Sequence, residues 1–355
     1  MSNETHPVEP TETRDAPACP ICGASTQVRA EALPTAVEHR TTPCFTCGVC
    51  STVFVWPLVV PDGLYESVYG HAEQLAGYSR YERYARSSAA AADPLAYLAG
   101  QEDVYWAVDQ VLRGAAGSSA WAIAEVGSGL GYLTNALRSR GFDCEGIDIS
   151  ETAVEAARSR FGPWYSCEDL FDPAAEHLGA FDLVILLETI EHVPDPIAFL
   201  RAVRSLLRPG GRILLTTPNR DAHPSGAIWR TDLPPVHLFW FGEDSVRSIS
   251  GAIGFDAEFV DFTEFNAHHE QSVALQGLDT VGEPYLDDEM QPIRSIPRRT
   301  ALMERLRERP AVAAVARAVY DRTRPNREWL VERSFALAAV LTPTDPGESS
   351  ESPDT

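Results

Sequence analysis

The sequence contains no lysine. All 29 basic residues are arginine, set against 51 acidic residues, and the formal net charge is −22 over 355 residues. A Schiff-base mechanism needs a lysine amine, and a P-loop needs the lysine that reaches the phosphates, so both are excluded. A basic surface is missing too, which argues against generalised binding to nucleic acid or anionic membrane. No apolar run approaches the roughly 18 residues that span a bilayer. The start, MSNETHPVEP, lacks the basic and apolar regions of a secretory signal, so a cytoplasmic location is expected. Cysteine is sparse but clustered: five of seven fall between Cys19 and Cys50, which points to metal rather than disulfides.

What is present is ample apolar material, 44% of the chain, enough for a substantial core. The charge is uneven. The tails, 1–16 and 343–355, are acidic and rich in Pro, Ser and Thr, and read as disordered. Residues 291–335 carry 11 Arg and 5 acids, and the rest of the chain is strongly negative. After the first tail comes a Cys-rich module over 17–60. A helical linker or lid follows over 61–118, with Tyr65, Tyr69, Tyr78, Tyr81 and Tyr84 either covering a site or packing between elements. From residue 119 to 342 strands and helices alternate. WAIAEVG, FDCEGIDI, WYSCEDL, FDLVILLE and RILLTTPN read as strands, with helices between them. FDAEFVDFTEF and SFALAAVLT add two more strands, separated by a helical, Arg-rich insertion of about 270–333. This pattern predicts an α/β, doubly wound, Rossmann-like fold, a parallel sheet with helices on both faces.

The first of these strands ends in Glu125-Val-Gly127-Ser128-Gly129-Leu-Gly131 and runs into a helix. Glycines here let the backbone turn sharply and approach a ligand. A dinucleotide fingerprint would place its third glycine at 132, where Tyr132 stands, so no pyrophosphate is implied. The second strand ends in Asp148, where a carboxylate can accept both hydroxyls of a ribose.

EVGSGLG, GIDIS, FDLVILLETIEHVPDP and LRPGGRILLTTPN, in this order, resemble the class I S-adenosylmethionine-dependent methyltransferases over roughly 120–220. The resemblance implies a seven-stranded methyltransferase sheet and S-adenosylmethionine as cofactor. Glu125, Gly127, Ser128, Gly129 and Gly131 would hold its methionine part. Asp148, with Ile149, would bind the ribose. Asp169, with Leu170, would face the adenine, Glu168 being the adjacent alternative. Glu188 and Ile190 would begin the loop beside the methyl group. The N-terminal module resembles the zinc ribbon of a subset of this family, with a structural Zn²⁺ on Cys19, Cys22, Cys47 and Cys50. Cys44-x₂-Cys47 has the same spacing as Cys47-x₂-Cys50, so Cys44 stands as the alternate ligand.

Methyl transfer to a hydroxyl or carbon acid needs a base, and without lysine histidine is the natural choice. His237, in DLPPVHLFWFGEDSV, resembles the histidine of ubiquinone-type O-methyltransferases and zinc-ribbon sugar C-methyltransferases. Val236 stands where an acid often precedes it. His192, in ETIEHVPDP, is the second candidate, with loop ordering as its structural alternative. The expected activity is methylation of oxygen or carbon on a small-molecule acceptor, a sugar nucleotide or a secondary metabolite. An RNA methyltransferase and a non-catalytic cofactor-binding scaffold are the alternatives, the first disfavoured by the charge. The Arg-rich segment 294–333 pairs with the acidic body or grips an anionic substrate.

Overall fold

The computed structural model describes residues 16–72, 74–75, 78–114, 120–222, 227–229, 231–269, 275–277, 284–293 and 333–344. The N-terminal module is a small antiparallel sheet of β1 (Thr26–Pro34), β2 (Thr41–Cys47) and β3 (Val53–Val55). Four helices follow: α1 (Leu64–Gly70), α2 (Ser79–Ala89), α3 (Pro94–Ala99) and α4 (Asp103–Gly114). The alternating part then begins with β4 (Ala122–Val126), α5 (Tyr132–Ser139), β5 (Asp143–Asp148), α6 (Glu151–Phe161) and β6 (Tyr165–Cys167). It continues through β7 (Phe181–Leu187), α7 (Pro196–Leu206), β8 (Leu207–Pro218), β9 (Ala227–Trp229) and β10 (Phe239–Trp240). It ends with α8 (Glu243–Ala252), β11 (Phe255–Phe259), α9 (Thr263–His268), β12 (Leu275–Gly277) and β13 (Ala336–Pro343).

Seven strands form the main sheet in the order β11-β13-β8-β7-β4-β5-β6. The central pairs are parallel, and β13 runs antiparallel to both neighbours. Side chains alternate across a strand, so both faces of the central strands must be apolar for helices to cover both. They are. Ile123, Leu183, Ile185 and Leu214 pack toward α2 to α5, while Ala124, Val126, Val184, Leu186, Ile213 and Leu215 pack toward α7, α8 and the N-terminal module. Local chemistry sets the helix starts. Ser150 Oγ accepts from Ala153 N–H, and Asp195 Oδ1 accepts from Ala198 N–H with Pro196 just inside the helix.

The N-terminal module is not separate from this body. β10 adds to β3 as a fourth strand, with Phe239 opposite Phe54 and Trp240 opposite Val53. Ser245 Oγ also donates to Cys50 O at 3.0 Å.

The stretch FDAEFVDFTEF is strand only through Phe259. Asp261 Oδ1 accepts from Thr263 N and Oγ1 and turns the chain into α9. Phe262 and Phe265 then pack on Trp106, at helical spacing. WYSCEDL holds only three strand residues, and β8 begins five residues before RILLTTPN. Within 270–333 the described residues are not helical. β12 pairs with β9, and Tyr285 and Leu286 donate to Ala36 O in the N-terminal module. The Arg-rich part, 294–332, and nearly all of the two acidic tails lie outside the described residues. Among the described residues no helix is long and apolar enough to cross a membrane.

Candidate functional site

In an open parallel sheet a ligand crevice forms where successive strands leave a common neighbour in opposite directions. Here that place is β4, with β5 on one side and β7 on the other. A cavity of about 420 Å³ opens at the carboxyl ends of these three strands.

One half of it is built by the glycine turn and β5. Gly127 has φ 76°, and a Cβ there would stand 2.6 Å from Thr189 Oγ1, so the position needs glycine for conformation and for space. Asp148 is buried at the end of β5. Its Oδ2 accepts from Gly129 N at 2.7 Å and its Oδ1 from Ser150 N at 2.9 Å. Each oxygen keeps a lone pair, so the group can still receive two hydroxyls. Burial raises its pKa, and the two N–H donors oppose the rise. Glu125 Oε2 accepts from Thr134 N and Oγ1, and burial still pushes this carboxyl up to about 8. Ile149 and Phe171, both 62% exposed, form an apolar mouth with Leu170. Asp169 stands beside them, one carboxylate oxygen accepting from Phe171 N. Glu168 is committed elsewhere, to Ala174 N and to His177 Nδ1, each at 3.0 Å.

The other half is aromatic and acidic. Tyr65, Tyr69, Tyr78 and Tyr81 line it, and the Tyr69 ring lies over the glycine turn. Tyr84 instead packs in the core against Tyr105 and Tyr132. Arg80 is the cation of the lining and is held by Glu102 at 3.0 Å and Tyr81 Oη at 2.9 Å. Glu188, directly after β7, has φ 51°, a left-handed conformation that costs a non-glycine residue of order 1 kcal/mol or more. Its Oε1 is buried without a hydrogen-bond partner, and burial, then the neighbouring Glu191, holds its carboxyl well above the ordinary range. His192 forms part of the wall. Its Nδ1 lies 2.6 Å from Val236 O, which can only accept, so Nδ1 carries the proton and Nε2 is bare. Burial lowers the His192 pKa and keeps the ring neutral.

In the N-terminal module, the sulfurs of Cys19, Cys22, Cys47 and Cys50 lie within 4.8 Å of one another. Cys19 Sγ to Cys50 Sγ is 3.6 Å and Cys22 Sγ to Cys47 Sγ is 3.4 Å. Zn–S bonds of about 2.3 Å place tetrahedral sulfurs roughly 3.8 Å apart, so the set fits Zn²⁺. Cys44 is outside the cluster. It points into the core, where burial pushes its thiol up to about 12.

A family model described as a methyltransferase domain matches residues 105–258. The ubiquinone biosynthesis O-methyltransferase of Xanthomonas campestris pv. campestris (strain B100) is 41% identical over 103 residues, 28% of this chain and 43% of that protein. The same enzyme of Xanthomonas euvesicatoria pv. vesicatoria (strain 85-10) is 40% identical over the same shares. Residues 105–258 are a methyltransferase domain, and S-adenosylmethionine is its cofactor. The chain spans less than half the length of the curated relatives it matches. The solved magnesium protoporphyrin IX methyltransferase from Synechocystis PCC 6803, with bound SAM, is loosely similar. It shows 20% identity and a TM-score of 0.38 over 56% of this chain and 89% of that one.

Within the methyltransferase domain, Glu125, Gly127, Ser128, Gly129, Asp148, Ile149, Asp169, Leu170 and Glu188 all face the cavity. Three expected residues do not. Gly131 makes the turn into α5, packed so tightly that a Cβ would lie 2.5 Å from Tyr165 and 2.6 Å from Ala157. Ile190 faces the core, and Thr189 takes the place beside the glycine turn. His237 sits one layer behind the wall. Val236 faces the cavity, so the next side chain turns inward, edge-on to the His192 ring at 4.5 Å. The carboxylate near His237 comes from Asp232, with Oδ1 at 3.9 Å from Nε2, rather than from position 236. The lining Tyr residues and Arg80 carry no motif. Their one signal is Tyr spacing of three and four along a helix.

Proposed function

We propose that the chain transfers a methyl group from S-adenosylmethionine to an oxygen of a small, hydroxylated, planar acceptor of the secondary-metabolite type. The observation that carries this reading is one cavity with two unlike ends. Asp148 and Glu125 flank a glycine turn at one end, and bare His192 Nε2 stands among tyrosines at the other. The cofactor, when bound, supplies an activated methyl group and its own leaving group. Asp148 accepts the ribose hydroxyls, Glu125 and the glycine turn hold the methionine end, and Asp169 faces the adenine. The acidic lining favours a cationic sulfonium over its neutral product. The tyrosine wall stacks a flat acceptor, and His192 Nε2 receives the hydroxyl proton. An acceptor carrying phosphates would meet several carboxylates and a guanidinium already engaged by Glu102, so a sugar nucleotide and RNA are the weaker readings. The four-cysteine cluster holds a structural Zn²⁺, because a closed set of thiolates leaves no open coordination position.

The test incubates the zinc-loaded protein with methyl-labelled S-adenosylmethionine and a series of phenols and catechols. The expected result is acceptor-dependent formation of S-adenosylhomocysteine, with kcat lowered at least about 100-fold in His192→Ala. Tight cofactor binding with no turnover on any hydroxylated acceptor would support the scaffold reading instead.

A further inference from the structure

The loop between β6 and β7 carries Asp169, Leu170 and Phe171 at the mouth of the cavity. Asp169 and Phe171 are exposed there. The order of this loop comes from its base. Glu168 N donates to Asp148 O at 3.0 Å, which ties the start of the loop to the end of β5. Glu168 Oε2 accepts from Ala174 N at 3.0 Å, which folds the loop back on its start. The same oxygen lies 3.0 Å from His177 Nδ1. His177 Nε2 in turn lies 3.2 Å from Glu145 Oε2, on β5. One imidazole therefore stands between two carboxylates, one at the start of the loop and one on the strand that leads to Asp148.

His177 is 8% exposed, and its ring rests at 5.7 Å on that of Phe181, the first residue of β7. Its own side chain does not line the cavity. A buried polar ring is stable only where its nitrogens are satisfied. Here one of the two partners is the residue directly before Asp169. A side chain held in this way fixes the backbone of its neighbour. Asp169 Oδ1 accepts from Phe171 N at 3.0 Å, which aims the carboxylate and leaves Oδ2 for a ligand. We propose that His177 is a positioning residue for the adenine end of the site. By joining Glu168 to Glu145 it holds Asp169 against the exocyclic amine of the cofactor, and so sets the preference for adenine over a base without that amine. The proposal rests on the reading in which Asp169 faces the adenine.

The experiment measures dissociation constants of S-adenosylhomocysteine and S-inosylhomocysteine on the zinc-loaded full chain. The second ligand has a carbonyl oxygen where adenine has its amine, so a carboxylate there meets an acceptor instead of a donor. The wild-type chain is expected to prefer the adenine ligand by at least about tenfold, the effect of one hydrogen bond to a charged group. Asp169→Ala should remove most of that preference. His177→Ala should lower it at least about threefold by weakening S-adenosylhomocysteine alone, with S-inosylhomocysteine binding within about twofold of wild type. His177→Asn, whose amide nitrogen can stand in for Nδ1 toward Glu168, should restore it. Glu145→Ala, at a side chain 47% exposed, replaces a His177→Ala chain that does not fold, and should shift the preference in the same direction. Two results overturn the proposal and leave the adenine reading intact, provided Asp169→Ala shows its loss. One is an unchanged preference in the folded His177 and Glu145 variants. The other is equal weakening of both ligands, which is the mark of general damage. An unchanged preference in Asp169→Ala overturns the adenine reading itself, and the proposal with it.

Discussion

The two halves of the cavity satisfy their carboxylates differently. At the cofactor end Asp148 and Glu125 accept from backbone N–H groups of the turn and helix beside them. At the other end Glu188 buries an oxygen with no hydrogen-bond partner, and Glu191 and Asp232 do the same behind the wall. The difference teaches which part of the site is complete in itself. The first half is organised by its own backbone. The second keeps buried carboxylate oxygens without a protein donor, which on the proposed reading is where a substrate hydroxyl docks.

The largest expected effect lies outside the cavity and sets the scale for it. Removal of Zn²⁺ by a strong chelator, or Cys22→Ser, is expected to abolish zinc binding and destabilise the docked ribbon by several kcal/mol. Cys44→Ala should leave one zinc per chain, and atomic absorption separates the two cases. Next comes Asp148→Ala. Losing two hydrogen bonds to a charged group, each about 1.5–3 kcal/mol, should weaken S-adenosylhomocysteine binding by at least about 100-fold in equilibrium dialysis. An unchanged dissociation constant there would break the contrast between the halves. Gly131→Ala is expected to act on stability. With φ 76° and two contacts under 2.7 Å, it should cost about 1–3 kcal/mol in urea unfolding.

The smallest expected effect is a pH dependence. Burial holds Glu125 up to about 8, and Asp148 is raised as well. An ammonium and ribose hydroxyls favour the ionised carboxylates, so binding expels protons. Affinity should therefore rise with pH between 6 and 8, by at most about tenfold per unit from Glu125, and level off above 8. Glu125→Gln should flatten most of that slope. An affinity that falls over this range would contradict the assignment.

The cofactor end was legible in the sequence because its residues are local. The glycine turn, Asp148 and Asp169 each lie at or just past the end of a strand, and strand ends are visible in the apolar pattern. Gly131 and Ile190 show the limit of this legibility: a motif marks a turn, while packing decides which of its members face the cavity. The acceptor end was less legible because it is assembled from distant segments. Tyr65 to Tyr81 come from the helical linker, His192 from the loop after β7, and Asp232 and Val236 from the turn before β10. Which of Val236 and His237 faces the cavity depends on a one-residue alternation that composition does not set. The ribbon's fourth strand was hidden for a similar reason, since a two-residue strand leaves no periodic signal.

On the proposed reading this cavity binds S-adenosylmethionine through Asp148 and Glu125. The most direct test is calorimetric titration of the zinc-loaded protein with S-adenosylhomocysteine at pH 8. One site per chain with a micromolar dissociation constant is expected. Absence of saturable heat, from a chain that is folded and carries its zinc, would contradict it.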